Sequence, residues 1–232
     1  MDLKYCFMLD IVLIIAPPVT SSTSATTTAQ AGQTEVPGTN TTPNLNPNVT
    51  CNCGVVNRLT RIVGGQETEV NEYPWHVGLV SPGDVTPWCG GSIITRRHVL
   101  TAAHCTFDTS TGTVKIASSI NVLVGDHNTT DSVVDVRAVA GILNHPSFNF
   151  NTGDHDVSVL TLLSSLTFSS VAGPVCLPGS ASSLYTGQLA TVTGWGDTSS
   201  DGGQASTLQE VEVTVVSNQE CRNAYGDNKI KE

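Results

Sequence analysis

The chain is short of positive charge: its 232 residues hold 10 Lys and Arg against 20 Asp and Glu, for a formal net charge of -10. Binding to a phosphate backbone draws on clustered basic side chains, so nucleic acid is excluded as a partner class. A long apolar run is also missing. The most hydrophobic stretch, residues 5–16, is about a dozen residues long, where a membrane-spanning helix needs about 20. With Lys4 on its leading side and Asp10 interrupting it, that stretch reads as part of a secretory signal over residues 1–20 and not as a stable membrane anchor. There is no Gly-x-Gly-x-x-Gly cofactor loop and no His-Glu-x-x-His zinc arrangement. The pair Cys51-Asn52-Cys53 is spaced too tightly for a structural zinc site, and no second ligand pair follows it. Neither a cofactor nor a metal is expected.

Cysteine, by contrast, is present seven times, alongside 21 Gly and 11 Pro and only 13% charged residues, which points to an oxidising, extracellular address. Cys6 falls in the leader, so its removal would leave an even number. Residues 21–50 are rich in Thr, Ser, Pro, Asn and Gly, with Glu35 the only charge and no aromatic side chain. Such a stretch cannot bury enough apolar surface to offset its ordering entropy and is expected to be a disordered stalk. Asn40 and Asn48 head glycosylation sequons in it, and Asn128 heads another further on.

After Cys51 the pattern turns to short apolar runs separated by turn signals: Ile93-Ile94, Val99-Leu100, Val122-Leu123-Val124, 157–163, 189–192, and Val211, Val213 and Val215 alternating with Glu212 and Thr214. Period-2 alternation and modest spacing predict an all-β sandwich or barrel, with only residues 219–225 helical.

Three motifs carry chemistry. Arg61-Ile62-Val63-Gly64-Gly65 offers a basic cleavage point followed by an apolar residue and two glycines. Cutting after Arg61 would free an α-amino group on Ile62 able to swing and bury itself against a carboxylate. In Trp88-Cys89-Gly90-Gly91-Ser92 and Thr101-Ala102-Ala103-His104-Cys105, a bridge between Cys89 and Cys105 would close a roughly 15-residue loop, contributing about 3 kcal/mol in the chain-entropy account, and would fix His104 beside it. Asp156-Val157-Ser158-Val159-Leu160 places a carboxylate at the head of an apolar run.

In this order and rough spacing, with Tyr73-Pro74-Trp75, His145-Pro146-Ser147-Phe148-Asn149, Pro174-Val175-Cys176-Leu177-Pro178 and Thr193-Gly194-Trp195-Gly196, these segments resemble the trypsin/chymotrypsin-like serine proteases from Cys51 onward. The resemblance implies a double antiparallel β-barrel, with residues 62 to about 166 completing the first barrel and the rest supplying part of a second. It implies a propeptide at 51–61, a protease domain at 62–232, a protein or peptide substrate, and activation after Arg61 by a trypsin-like enzyme. His104 would be the general base and Asp156 its orienting partner, in preference to the neighbouring Asp154 and His155. Cys176 would be tethered to Cys51 or Cys53, and Cys221 would be left over with the other.

The Gly-Asp-Ser-Gly-Gly segment that supplies the family's nucleophile does not occur in the sequence. Loss of a triad nucleophile costs about 10⁶-fold in a subtilisin, so the polypeptide as written is expected to be inactive, and a non-catalytic homologue with a binding or regulatory role is the alternative. Gly125-Asp126-His127-Asn128 with Asp131 and Asp135 is reminiscent of a trypsin calcium loop but reads as a solvated one. His76, His98 and His127 are expected at the surface or at strand edges.

Overall fold

The computed structural model describes residues 52–58, 65–131, 135–178, 185–197 and 203–226. The signal and stalk segments, Arg61 and Ile62, and the sequons at Asn40 and Asn48 lie outside them. Along the chain the strands are β1 (Gln66–Glu67), β2 (His76–Val80), β3 (Cys89–Ile93), β4 (His98–Thr101), β5 (Phe107–Asp108), β6 (Thr113–Val114), β7 (Asn121–Val124), β8 (Asp135–Asn144), β9 (Ser158–Leu162), β10 (Leu189–Gly194) and β11 (Gln209–Thr214); a helix, α1 (Asn218–Tyr225), follows. All pairings are antiparallel. Six strands close a barrel in the order β2-β3-β4-β9-β8-β7, and three others form a sheet in the order β1-β11-β10.

The barrel closes around side chains that alternate inward. On β9, Ser158, Leu160 and Leu162 are buried while Val159 and Thr161 are half-buried. Val77 and Leu79 of β2, Ile93, Val99 and Val122 join Leu160 and Leu162 in one core with Trp75, Tyr73 and Ile120. Removing such aliphatic side chains from water stabilises the fold by about 1.5–3 kcal/mol each.

Two strands of the barrel gave no legible signal in the sequence. Every residue of β2 is buried, so it shows no apolar and polar alternation. Its outer face is occupied too: a Cβ on Gly78 would come within 2.7 Å of the Pro87 ring and 3.5 Å of Trp195. In β8 most residues are exposed or half-buried, and a register shift between Val139 and Gly141 breaks the period.

The sequence expectation for the first barrel is corrected at its start. Gln66 and Glu67 pair with Glu210 and Gln209 of β11, so β1 belongs to the second sheet and the first strand of the barrel is β2, starting at His76. On β11 the alternation expected from the sequence is not kept: the fully buried member is Glu210, while Val211, Glu212 and Val213 are all half-buried.

Helix α1 starts one residue earlier than its apolar pattern suggested. Ser217 caps it, accepting from Glu220 N at 3.2 Å, while its own amide donates to Glu220 Oε2 at 2.9 Å; this reciprocal pair is a capping box. Gly226 closes the far end with its amide on Arg222 O at 2.8 Å. Among the described residues no helix is long and apolar enough to cross a membrane.

Candidate active site

Strand pairing brings His104 and Asp156 together from 52 positions apart. Thr101 at the end of β4 lies opposite Ser158 at the start of β9. Antiparallel neighbours share a rim at that point, so the turn following β4 and the residues preceding β9 meet there. His104 opens a 3-10 turn, His104–Thr106, just beyond β4. Thr106 Oγ1 pins that turn from hydrogen-bond distance of two acceptors, Ala103 O at 2.7 Å and Asn144 Oδ1 at 2.9 Å, between which its one proton is shared.

The carboxylate grips the histidine at two points. Asp156 Oδ1 accepts the His104 backbone amide at 2.8 Å, and Oδ2 lies 2.6 Å from Nδ1. An ionised carboxylate can only accept, so Nδ1 carries the proton and Nε2 is left as the basic nitrogen. Burial pushes the Asp156 carboxyl up, but the hydrogen bonds from the His104 side chain and amide and from the Ala103 amide outweigh it and hold it below the usual carboxylate range. Both side chains remain partly exposed, at 17% and 24%, so a substrate can reach the pair.

The neighbouring rivals are turned elsewhere. His155, at φ 57°, stacks on His145 with ring centroids 4.6 Å apart. Asp154 pairs through its backbone with Asn149. His145 Nδ1 accepts from Ser147 N at 3.2 Å and takes no part in the His104–Asp156 contact.

Cys89 and Cys105 form a disulfide beside this turn, with Cys105 Sγ 3.4 Å from His104 Nε2. Cys89, His104 and Cys105 bring potential metal-binding atoms within 4.8 Å of one another, but both sulfurs are committed to the disulfide and offer no thiolate. Cys53, not left open against Cys51, is joined to Cys176. Gly54 permits the turn behind it at φ 66°, with its amide on Pro174 O at 2.8 Å. Cys221 is disulfide-bonded, which corrects the expectation that it is left over; its partner lies outside the described residues.

Of the histidines placed at the surface on sequence grounds, His98 does sit at a partly exposed edge, with Nδ1 2.8 Å from Thr95 Oγ1. His127 is likewise half-buried, its Nε2 2.9 Å from Glu67 Oε1. His76 is a correction: it is 3% exposed, packed against Trp195 with ring centroids 4.9 Å apart, with Nδ1 3.0 Å from Thr193 Oγ1. It points outward from the barrel, and the second sheet covers it. Asn128 is partly exposed, its Oδ1 accepting from Thr130 Oγ1 at 2.8 Å, and Asp126 of the same loop is pushed up by burial.

Sequence reasoning missed a second polar cluster in which Arg58, Glu72, Tyr73 and Glu210 converge. No local signal marks it, because its members come from three distant segments.

A closed barrel whose rim holds a carboxylate-braced histidine, packed beside a second antiparallel sheet, is the scaffold of a chymotrypsin-type serine protease. Residues 62–232 match the family model described as Trypsin, and the chain belongs to that family. It is 34% identical to the Proclotting enzyme of Tachypleus tridentatus over 89% of this chain and 56% of that protein. It is also 34% identical to a Venom serine protease of Polistes dominula, over 76% of this chain and 63% of the relative. Venom serine protease 34 of Apis mellifera is 32% identical over 76% of this chain and 44% of its own length. The chain thus spans less than two thirds of the length of these relatives.

Proposed function

We propose that the protein is a secreted serine endopeptidase made as a precursor, with His104 as general base and Asp156 as the residue that orients it. The observation that carries this reading is the double contact of Asp156 with the His104 amide and Nδ1, at 2.8 and 2.6 Å. A serine hydroxyl attacks a peptide carbonyl only when a base within hydrogen-bond reach removes its proton. An imidazole whose Nδ1 proton is held by a carboxylate presents Nε2 for that task, and the carboxylate stabilises the imidazolium formed as the proton arrives. The same imidazolium then returns the proton to the departing amine.

On this reading Arg61-Ile62 is the activation bond, cut by a trypsin-like enzyme, and Cys53–Cys176 keeps the preceding segment attached afterwards. Disulfides fit an extracellular address, and the Asn128 sequon, partly exposed on its loop, is a glycan acceptor. The Gly-Asp-Ser-Gly-Gly segment is absent from these 232 residues, so this polypeptide alone is proposed to lack peptidase activity, and the hydrolytic reading applies to a chain that carries that segment.

Reading the coding sequence beyond Glu232 tests the proposal. An in-frame Gly-Asp-Ser-Gly-Gly, together with peptide hydrolysis that appears on cleavage after Arg61 and is lost in His104→Ala, supports it. A glycine in place of that serine would overturn it in favour of a non-catalytic binding or regulatory homologue.

A further inference from the structure

Two arginines, Arg58 and Arg61, precede the first sheet strand, and each offers a bond that an arginine-directed protease can hydrolyse. The structure holds the first of them in place. Ahead of it, Cys53 is bonded to Cys176, and Gly54 N donates to Pro174 O at 2.8 Å while Asn57 N donates to Glu72 O at 3.0 Å. The Asn57 side chain adds donations to Asn71 O at 2.8 Å and to Ser170 O at 2.6 Å.

Arg58 itself ends between two carboxylates. Its Nε lies 2.5 Å from Glu72 Oε1, and the two side chains are 18% and 1% exposed. Its Nη2 donates to Glu210 Oε1, on a side chain 5% exposed. Tyr73 OH donates to Glu210 Oε2, Gln66 Nε2 reaches Glu210 Oε1 at 3.3 Å, and Glu69 N donates to Glu72 Oε2 at 2.8 Å. Two buried carboxylates this close repel unless a cation sits between them, and Arg58 is that cation.

We propose that the Glu72–Glu210 carboxylate pair sequesters Arg58 and so selects Arg61 as the bond that an arginine-specific activating protease cuts; this rests on the reading of Arg61 as the activation bond. A protease of that kind takes the arginine into an acidic pocket and the flanking backbone in an extended form. Arg58 already occupies two carboxylates, and Asn57 has spent its amide and its side chain on the domain. Cutting there requires the segment to lift off first. Hydrolysis after Arg61 breaks one C–N bond, with water supplying hydroxyl to the Arg61 carbonyl and a proton to the Ile62 nitrogen. The same reaction after Arg58 would start the new chain at Leu59, three residues too early for Ile62 to carry a free amine.

The test is limited digestion of the full chain with an arginine-specific endopeptidase, followed by reduction and mass spectrometry of the new N-termini. In the folded chain, Ile62 termini should form about a hundredfold faster than Leu59 termini, the preference expected when releasing the arginine means breaking a buried ion pair. In Glu72→Gln/Glu210→Gln the two should come within about tenfold, as should the reduced and unfolded native chain, which carries the test if the double variant does not fold. Equal cutting after both arginines in the folded chain overturns the proposal and leaves the activation reading standing. Cutting after neither overturns both.

Discussion

His76 gives the fold a measurable sensitivity to acid. The ring is 3% exposed, and Nε2 has no hydrogen-bond partner among the described residues. Burial lowers its pKa from 6.5 to about 4. Among the described residues no carboxylate compensates: those that face it are Thr193, the Trp195 ring and the backbone of Gly90. Between these two pKa values the unfolded chain binds a proton that the folded chain refuses, so stability is full above about pH 6.5 and falls as pH drops toward 4. At about 1.4 kcal/mol per unit, the loss amounts to about 2 kcal/mol at pH 5 and about 3 kcal/mol once both states are protonated. The assay is urea unfolding of the native chain and of His76→Gln from pH 7.5 to 4. The glutamine retains a partner for Thr193 and cannot titrate, and the carboxylates common to both proteins cancel in the difference. The native chain should lose about 2 kcal/mol relative to His76→Gln between pH 7.5 and pH 5. Parallel stability curves, or a native chain that gains on acidification, would refute the reasoning.

Three further outcomes follow from the same geometry. In the active protease, Asp156→Asn should lower kcat on the order of 10⁴-fold, because an amide NH₂ facing Nδ1 favours the wrong tautomer; a loss below tenfold in steady-state peptide hydrolysis would count against Asp156 as the orienting residue. Replacing Cys89 and Cys105 together by Ala should cost about 3 kcal/mol in denaturant unfolding, and an unchanged midpoint would show that the loop closure contributes nothing. Gly78→Ala forces a methyl group against the Pro87 ring and should cost about 1–3 kcal/mol, read as a lowered Tm, with no loss expected from Gly203→Ala, where a Cβ would meet nothing within 4 Å and the backbone is not left-handed.

The chemistry-bearing pair was legible because its neighbours are distinctive. Thr101-Ala102-Ala103-His104-Cys105 joins a histidine to a disulfide cysteine, and Asp156 heads a strand that alternates cleanly as β9. The strands β4 and β9 were legible as short apolar runs, Val99-Leu100 and 157–163, bounded by turn signals. The strand β2 is covered on both faces and β8 carries a bulge, so neither period survives to be read. His76 was misplaced for the related reason that a histidine beside a turn looks like a surface residue until a second layer is laid over it.

The sequence by itself determined the apolar runs that became β4, β7 and β9, the pair that would handle a proton, and the disulfide that braces it, because each depends on local pattern or on a short, distinctive motif. Only the tertiary structure decided that β1 leaves the first barrel for β11, that Cys53 and not Cys51 meets Cys176, and that Arg58, Glu72 and Glu210 close on one another. Those choices compare contacts between residues more than a hundred positions apart. Their energies depend on what else is buried at the same point, which no local stretch of chain encodes.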